Sequence, residues 1–308
     1  MMPSLVPEHR GVKCAFIARV AVLLVLLLFV DIMTRAVEVA AQCPKKDIKC
    51  TYRVLKEFDP SGKQTLGHAS CLRKECSNVI EHDNGESKDI VLKLHNELRQ
   101  KIALGTDEHF KRRAKTTIGA GNMLQMVWDD RLAENAIKWA FQLCMDRGRP
   151  TGRLWRYDHL DCRSTDQFMY VGQNIFWVHD DHGNMNWQHA IGTWFNQRFH
   201  INDDLIQQPP GLHANVSEFL QLIWAHSFKV GCGYLKATFD NPIDPAHRYI
   251  QSFYICNYGP QGNRPWLYAF RVGRAATNCP VGSKPSHDYK GLCKVYDEDI
   301  VRRSNGNY

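Results

Sequence analysis

The sequence predicts an α+β fold in which helices come first and an antiparallel sheet forms late in the chain. Apolar residues recur at three- and four-residue spacing in segments before residue 226, whereas two segments rich in aromatic and β-branched residues follow near residues 230–258. Helices and strands that are grouped rather than alternating favour helical layers on a small antiparallel sheet over a wound parallel sheet.

The first helix is predicted over residues 88–104, where Ile90 and Val91 begin a single apolar stripe. Ser87 is the predicted cap at its start, and Gly105 is the residue expected to end it.

The other predicted elements follow from the same patterns. They are helices over 130–145, 187–199 and 217–226, and strands over 174–178, 230–239 and 249–258. Asp129 or Asp130 caps the second helix. Cys232 and Cys256 lie in the last two strands, where antiparallel pairing would bring them within disulfide reach. Four tryptophans in or beside these elements are expected to pack in the core: Trp128, Trp139, Trp194 and Trp224.

Residues 1–41 have the pattern of a removed secretory signal peptide. Arg10, Lys13 and Arg19 precede or flank an apolar run at 20–30, and a cleavage point follows Ala41. The run is about half of the roughly 20 residues that a membrane span requires, which favours a signal peptide over a signal anchor. No stable membrane span is expected in the rest of the chain, and the predicted location is extracellular.

Cysteine usage agrees with secretion. Ten of the 11 cysteines lie beyond residue 41, an even number that suits full pairing in an oxidising compartment. No C-x-x-C pair is present, which disfavours a cysteine zinc site. Residues 42–85 hold four of these cysteines in a polar segment without sustained periodicity, which predicts a loop-rich extension. Asn215-Val216-Ser217 is a sequon for N-glycosylation in a secreted chain.

The charge of the chain is mildly positive. The formal net charge is +7, and removal of the four Lys/Arg and three Asp/Glu in residues 1–41 leaves +6. The densest basic run is 109–115, for which two interpretations stay open: a solvated loop, or a patch for an anionic surface such as glycans or acidic lipid headgroups. Nucleic acid is not an expected partner of a secreted protein.

Four motifs in chain order resemble the CAP superfamily, which comprises cysteine-rich secretory, antigen-five and pathogenesis-related-one proteins. They are HNELR at 95–99, GQNI at 172–175, EFLQLIW at 218–224 followed by VGCG at 230–233, and YICNYGPQGN at 254–263. Two further segments, 67–71 and 159–163, are similar to the insect venom allergen (antigen-five) branch.

The resemblance implies an α–β–α sandwich stapled by disulfides, with a cysteine-rich extension at 42–85, a CAP domain at 86–270 and a tail at 271–308 that carries one disulfide. The implied pairings are Cys43–Cys71, Cys50–Cys162, Cys76–Cys144, Cys232–Cys256 and Cys279–Cys293. His95, on the HNELR motif, is interpreted as an anchor of the first helix through hydrogen bonds.

The resemblance also implies a central cleft, in which two histidines and two glutamates hold a divalent metal in many members. His159 matches the first histidine, Gln173 and Gln197 stand in the glutamate positions, and Glu218 stands in that of the second histidine. Zinc prefers imidazole, thiolate and carboxylate ligands, and a neutral amide cannot act as a general base. We therefore expect a degenerate cleft with no catalytic residue, no metal and no cofactor.

These expectations favour a secreted, non-enzymatic module that binds a small hydrophobic or amine ligand or an extracellular protein, as relatives are associated with doing. Two alternatives stay open. One is a metal-assisted hydrolase or protease that uses His159 and Glu218. The other is a venom or salivary toxin-like effector.

Overall fold

A five-stranded sheet covered by helices on both faces forms the centre of the protein. The computed structural model describes residues 49–53, 63–67, 69, 72, 74, 76–83, 85–109, 119–147, 163–179, 183–201, 215–240, 244, 247–264 and 267–304. The strands are β1 (Lys49–Arg53), β2 (Lys63–Gly67), β3 (Val79–His82), β4 (Val127–Trp128), β5 (Gly172–His179), β6 (Lys229–Asp240), β7 (Arg248–Gly259), β8 (Ser283–Pro285) and β9 (Cys293–Val295). The helices are α1 (Lys88–Ala103), α2 (Asp130–Arg147), α3 (Trp187–Asn196), α4 (Ser217–Leu222) and α5 (Glu298–Ser304), and a 3-10 turn spans Gln197–His200.

The central sheet is mostly antiparallel. Its strand order is β3-β6-β7-β5, and the short β4 pairs with β6 in parallel. Cys232 of β6 lies directly opposite Cys256 of β7, and the two form a disulfide. The late antiparallel pair and the α+β sandwich that were expected from the sequence are thus confirmed.

The two faces of the sheet bury different helices, because successive side chains of a strand point to opposite faces. On one face, Tyr234, Tyr254 and Tyr258 pack in a cluster with residues of α1, α3 and α4. On the other, Phe253 and Ile255 pack with residues of α2. We refer to these as the α1 face and the α2 face.

The boundaries of the first two helices have different local causes. Ser87 occupies the cap position of α1, but its hydroxyl contacts Met185 Sδ at 3.4 Å and makes no cap hydrogen bond, so the predicted capping role is wrong. Gly105 adopts a left-handed φ of 63° beyond the end of α1, where glycine avoids the Cβ clash. Asp129 caps α2, since its Oδ1 accepts from Leu132 N at 2.9 Å.

The third and fourth helices are shorter than the sequence pattern predicts. The expected helix at 187–199 is α-helical only to Asn196 and then tightens into the 3-10 turn. The helix expected at 217–226 ends at Leu222. Beyond that point the carbonyls of Trp224 and Ala225 accept hydrogen bonds from the Arg99 side chain, which removes them from a helical pattern.

Several short elements were not expected from the sequence. The β1–β2 hairpin and β3 lie in the extension that was predicted as loops, and α5 lies in the tail. The tail packs into the core: Cys293 N donates to Met123 O at 2.8 Å, and Val301 is fully buried in a cluster with Leu132 of α2 and Phe228, which precedes β6. The described part of residues 271–304 is therefore continuous with the sandwich in packing.

Three disulfides join described residues: Cys76–Cys144, Cys232–Cys256 and Cys279–Cys293. These are three of the five implied pairings. The other two involve Cys43, Cys71 and Cys162, which lie outside the described residues, and stay predictions. The Cys232–Cys256 disulfide joins the paired strands β6 and β7 through cysteines that are 24 residues apart in sequence, and the Cys76–Cys144 disulfide links the extension to α2.

All four tryptophans pack within or against the core, as expected, and three of them are fully buried. Trp139, Trp194 and Trp224 are at most 2% exposed. Trp128 is partly exposed, and its indole Nε1 donates to Asp130 Oδ1 at 2.9 Å. Within the described residues, no helix has both the length and the apolar character that crossing a membrane requires.

Candidate functional site

The start of α4 carries a set of hydrogen-bonded polar side chains that includes two of the predicted cleft residues. We call Asn174, Gln197, Ser217 and Glu218 the polar cluster. Gln197 reaches it from the 3-10 turn after α3, and Asn174 reaches it from β5. The cluster is thus assembled from three elements that are separated by up to 44 residues of sequence.

Gln197 acts as a cap for α4 from a distance. The first turn of a helix leaves N–H groups without partners, and Val216 at the cap position has no side-chain acceptor. Gln197 Oε1 accepts from the backbone N–H of Glu218 at 3.1 Å and of Phe219 at 3.2 Å. The amide that replaces a glutamate in the family pattern therefore has a structural task.

The Glu218 carboxylate is held by neighbours. Its Oε2 accepts from Gln197 Nε2 at 2.7 Å and from Ser217 Oγ at 2.9 Å. The Gln197 side chain therefore donates to the carboxylate of Glu218 and accepts from the backbone N–H of the same residue. The structure thus places residues 197 and 218 in direct contact.

A buried relay connects the cluster to α1. Asn174 Nδ2 donates to Glu218 O at 3.0 Å and contacts Tyr258 Oη at 3.4 Å. His95 Nδ1 lies 2.8 Å from Val91 O, which accepts only, so Nδ1 carries the proton. His95 Nε2 is then the acceptor for the Tyr258 hydroxyl at 3.0 Å. This arrangement confirms His95 as an anchor of α1.

Burial changes the titration of this relay. His95 is fully buried, and desolvation lowers its pKa from 6.5 to about 4, with the Arg99 charge adding to the effect. Desolvation likewise raises the pKa of Tyr258 well above its ordinary value. Both groups are neutral at physiological pH, which is the state that their hydrogen bonds require.

Acid should destabilise the protein through His95. The His95 imidazole binds its second proton more readily in the unfolded chain, where its pKa is higher, than in the folded protein. The stability that the neutral, buried His95 contributes is therefore fully present above pH 6.5 and is lost as the pH falls toward 4. Over this pH range the free energy of unfolding should fall by about 3 kcal/mol. Urea unfolding at several pH values should show this loss in the wild type and a much smaller pH slope in His95→Gln.

His287→Gln provides the matched control, because His287 is exposed and lies away from the relay. The free energy of unfolding of His287→Gln should depend on pH as steeply as that of the wild type. An unchanged slope in His95→Gln would mean that other groups account for acid sensitivity.

Arg99, the last residue of the HNELR motif, is fully buried, and its hydrogen bonds within the described part of the chain go to backbone carbonyls. Its guanidinium donates to carbonyls of two separate segments, one that precedes β4 and one that runs from the end of α4 toward β6: Leu124, Leu222, Trp224, Ala225 and Ser227. Burial lowers the pKa of Arg99 to about 9, which leaves it charged at neutral pH. Asn96 of the same motif exchanges two hydrogen bonds with the Met126 backbone. The HNELR motif therefore fixes distant backbone segments to α1 through side-chain hydrogen bonds.

Gln173 does not join the polar cluster. Its Nε2 donates to Asn257 Oδ1 at 2.9 Å, and Asn257 Nδ2 donates to Leu132 O of α2 at 3.1 Å. Asn174 faces α4, and adjacent side chains of a strand alternate, so Gln173 lies on the α2 face. The expectation that positions 173, 197 and 218 share one hollow is wrong for Gln173.

The remaining predicted residues have separate outcomes. His159 and most of the basic run 109–115 lie outside the described residues, whereas His109 is described and packs edge-on against Phe199 at 4.9 Å between ring centroids. In the described ranges, no three His, Cys, Asp or Glu side chains are grouped as metal ligands are. The Glu218 carboxylate already accepts hydrogen bonds from the Gln197 amide and the Ser217 hydroxyl. Glu218 and Gln197 therefore do not fit the metal site that the family pattern implies.

Two contacts of the site have no short-range sequence signal. Asn263 Nδ2 donates to Ser217 O at 2.8 Å, and Gln197 caps a helix that begins 20 residues later. Only the tertiary arrangement reveals either role, because both join segments that are distant in sequence.

Comparison with known proteins gives a match to a protein family and to several relatives. The model of the cysteine-rich secretory protein family matches residues 92–258, more than half of the chain. Venom allergen 5 of Tityus serrulatus is 32% identical over 221 residues, and Venom allergen 5 of Lycosa singoriensis is 30% identical over 260 residues. These alignments cover 68% and 80% of this chain but only 48% and 63% of the two relatives.

Among solved structures, a crystal structure of NaASP2 with Zn²⁺ is similar to this chain at 23% identity and a TM-score of 0.47. The match covers 71% of this chain and 100% of that one.

Proposed function

Because the chain belongs to the cysteine-rich secretory protein family, we propose that it is an extracellular binding protein that does not catalyse a reaction. Its ligand is a small hydrophobic molecule, a small amine or an extracellular protein. The rigid, disulfide-linked sandwich supports this proposal, since recognition residues commonly lie in loops on such a scaffold.

The observation that carries the proposal is the way Glu218 and Gln197 are used. A general base needs a free carboxylate or imidazole within reach of substrate. Here the Glu218 carboxylate accepts two internal hydrogen bonds, while Gln197 caps α4. Gln197 and Glu218, which stand at the family's cleft positions, therefore use their polar groups in hydrogen bonds at the start of α4.

The competing function is a metal-assisted hydrolase that uses His159 and Glu218. It would need at least one more ligand, since catalytic zinc commonly has three protein ligands. Gln173 faces α2 and Gln197 offers a neutral amide, so neither supplies it. This is the physical reason for preferring binding over turnover.

A toxin-like effector is the second candidate, and the venom proteins among the relatives favour it. It is compatible with binding, because an effector acts through a bound target. The distinction lies in whether that target is a macromolecule or a small molecule.

The test uses the full chain expressed in a eukaryotic secretory host and collected from the medium. Its tryptophan fluorescence would be titrated with palmitate, cholesterol and serotonin, and each ligand would be recovered and weighed by mass spectrometry. We expect saturable binding of at least one ligand, recovered unchanged. Conversion of a ligand contradicts the proposal. If none of the three binds by fluorescence and calorimetry, the small-ligand form of the proposal is wrong and an extracellular protein is the remaining ligand.

Glu218→Gln separates binding from catalysis, because it keeps the shape of the side chain and removes its charge. A binding protein should retain its affinity within about twofold, whereas a hydrolase that uses this carboxylate should lose about 100-fold or more in rate. His159→Ala is the companion variant, and hydrolysis abolished by it would establish the alternative.

A further inference from the structure

We propose that Asn215 carries an N-linked glycan that covers the polar cluster at the start of α4. This inference rests on the extracellular address in the proposed function, because the sugar is attached only in the secretory pathway. It deepens that function by closing one surface of the protein to macromolecular partners.

The sequence supplies one attachment point. Asn215-Val216-Ser217 is the single N-x-S/T sequon in the 308 residues, and its middle residue is not proline. A glycan elsewhere on an asparagine is therefore not expected.

The structure presents this asparagine outward. Asn215 lies in a turn directly before α4 and is exposed. The next residue, Val216, is 1% exposed and packs in the core cluster of the α1 face. The buried valine anchors the turn while the neighbouring amide points to solvent, which is the geometry that a bulky, hydrophilic substituent requires.

The turn is held in place on its other side as well. Asn263 Nδ2 donates to Ser217 O at 2.8 Å, and the Ser217 hydroxyl donates to Glu218 Oε2. The sequon and the polar cluster therefore share Ser217. Asn215 lies in the turn directly before α4 and Glu218 lies in the first turn of that helix, so the attachment point and the carboxylate are at the same helix end. A branched sugar at that position is large enough to lie over the cluster.

The consequence concerns partners. A surface that carries a glycan is excluded from close protein–protein packing, so an extracellular protein target must bind elsewhere on the sandwich. The polar cluster is then a shielded structural joint, in agreement with the internal hydrogen bonds of Glu218.

The test measures the intact mass of secreted protein before and after treatment with peptide N-glycosidase. We expect the wild type to lose the mass of one N-glycan, with Asn215 converted to Asp in the treated peptide. Asn215→Gln and Ser217→Ala should both lack that mass, and Ser217→Thr should keep it, because threonine also completes a sequon.

These variants also separate the glycan from the hydrogen bond. Asn215→Gln retains the Ser217–Glu218 bond, whereas Ser217→Ala removes it together with the sugar. Antibody fragments selected on Asn215→Gln protein, with epitopes that include Glu218, should lose binding to the glycosylated wild type. Retained binding would overturn the shielding.

Secreted wild-type protein with the mass of the unmodified polypeptide would overturn the glycan altogether. If that protein still bound its ligand, the proposed function would stand. Wild-type protein that stayed inside the cell without a sugar would instead contradict the extracellular address on which both proposals depend.

Discussion

Replacing Arg99 with leucine should lower the free energy of unfolding by about 4 kcal/mol or more, one of the largest effects available in this protein. The side chain is fully buried and donates six hydrogen bonds to five backbone carbonyls. Leucine fills part of the volume but leaves the carbonyls in place, without their donor and away from water. Urea unfolding followed by tryptophan fluorescence measures the loss.

Two further arginine variants test whether the lost hydrogen bonds to carbonyls cause the destabilisation. Arg99→Lys keeps the charge but has a single ammonium, which cannot reach all five carbonyls, so we expect an intermediate loss. Arg131→Leu removes an exposed arginine that pairs with Asp166 at the surface, and should cost less than about 1 kcal/mol. If Arg99→Leu were as stable as Arg131→Leu, the hydrogen bonds of Arg99 to the carbonyls would contribute nothing.

Gly231→Ala should be the second severe change, with a loss of about 3 kcal/mol. A Cβ at this position would lie 2.2 Å from Ala133 N and 2.4 Å from Asp129 O. Both are backbone atoms at the start of α2, so no side-chain rotation relieves the clash. The helix would have to move away from β6, and Asp129 N would lose its 2.9 Å bond to Val230 O. Calorimetric unfolding of the two proteins provides the comparison.

Gly192→Ala is the matched control, because a Cβ there meets no atom within 4 Å. Gly192 lies inside α3, and alanine has the higher helix propensity, so this change should stabilise by about 0.5–1 kcal/mol. Equal effects of the two substitutions would show that backbone contact at Gly231 is unimportant.

The hydrogen bonds of Arg99 also explain why α4 is short. Periodicity predicts a helix to residue 226, since Phe219, Leu222 and Ile223 are spaced as on one apolar face. The side chain of Arg99 draws the following carbonyls out of that pattern. Local propensity is overridden by a charge that lies more than 120 residues earlier in the chain.

Ser87 illustrates the same limit at a helix start. Its residue type and position predict a cap, and it does occupy the cap position, yet its hydroxyl turns to Met185. The β1–β2 hairpin, β3 and α5 were missed because they are short, and short elements carry too few residues for a period to show.

The sequence by itself determined the α+β class and the antiparallel strand pair that brings Cys232 and Cys256 together, because the hydrophobic period is written along the chain. Motif order gave the resemblance to the family, and the pairing of Cys279 with Cys293 was implied by that resemblance. The sequence also identified His95 as a structural residue. Tertiary structure alone decided that Gln173 faces α2, that Gln197 caps α4, and that Arg99 holds two backbone segments. The physical reason is that strand alternation, capping and carbonyl coordination depend on which distant segments are brought together, and a one-dimensional pattern does not contain that information.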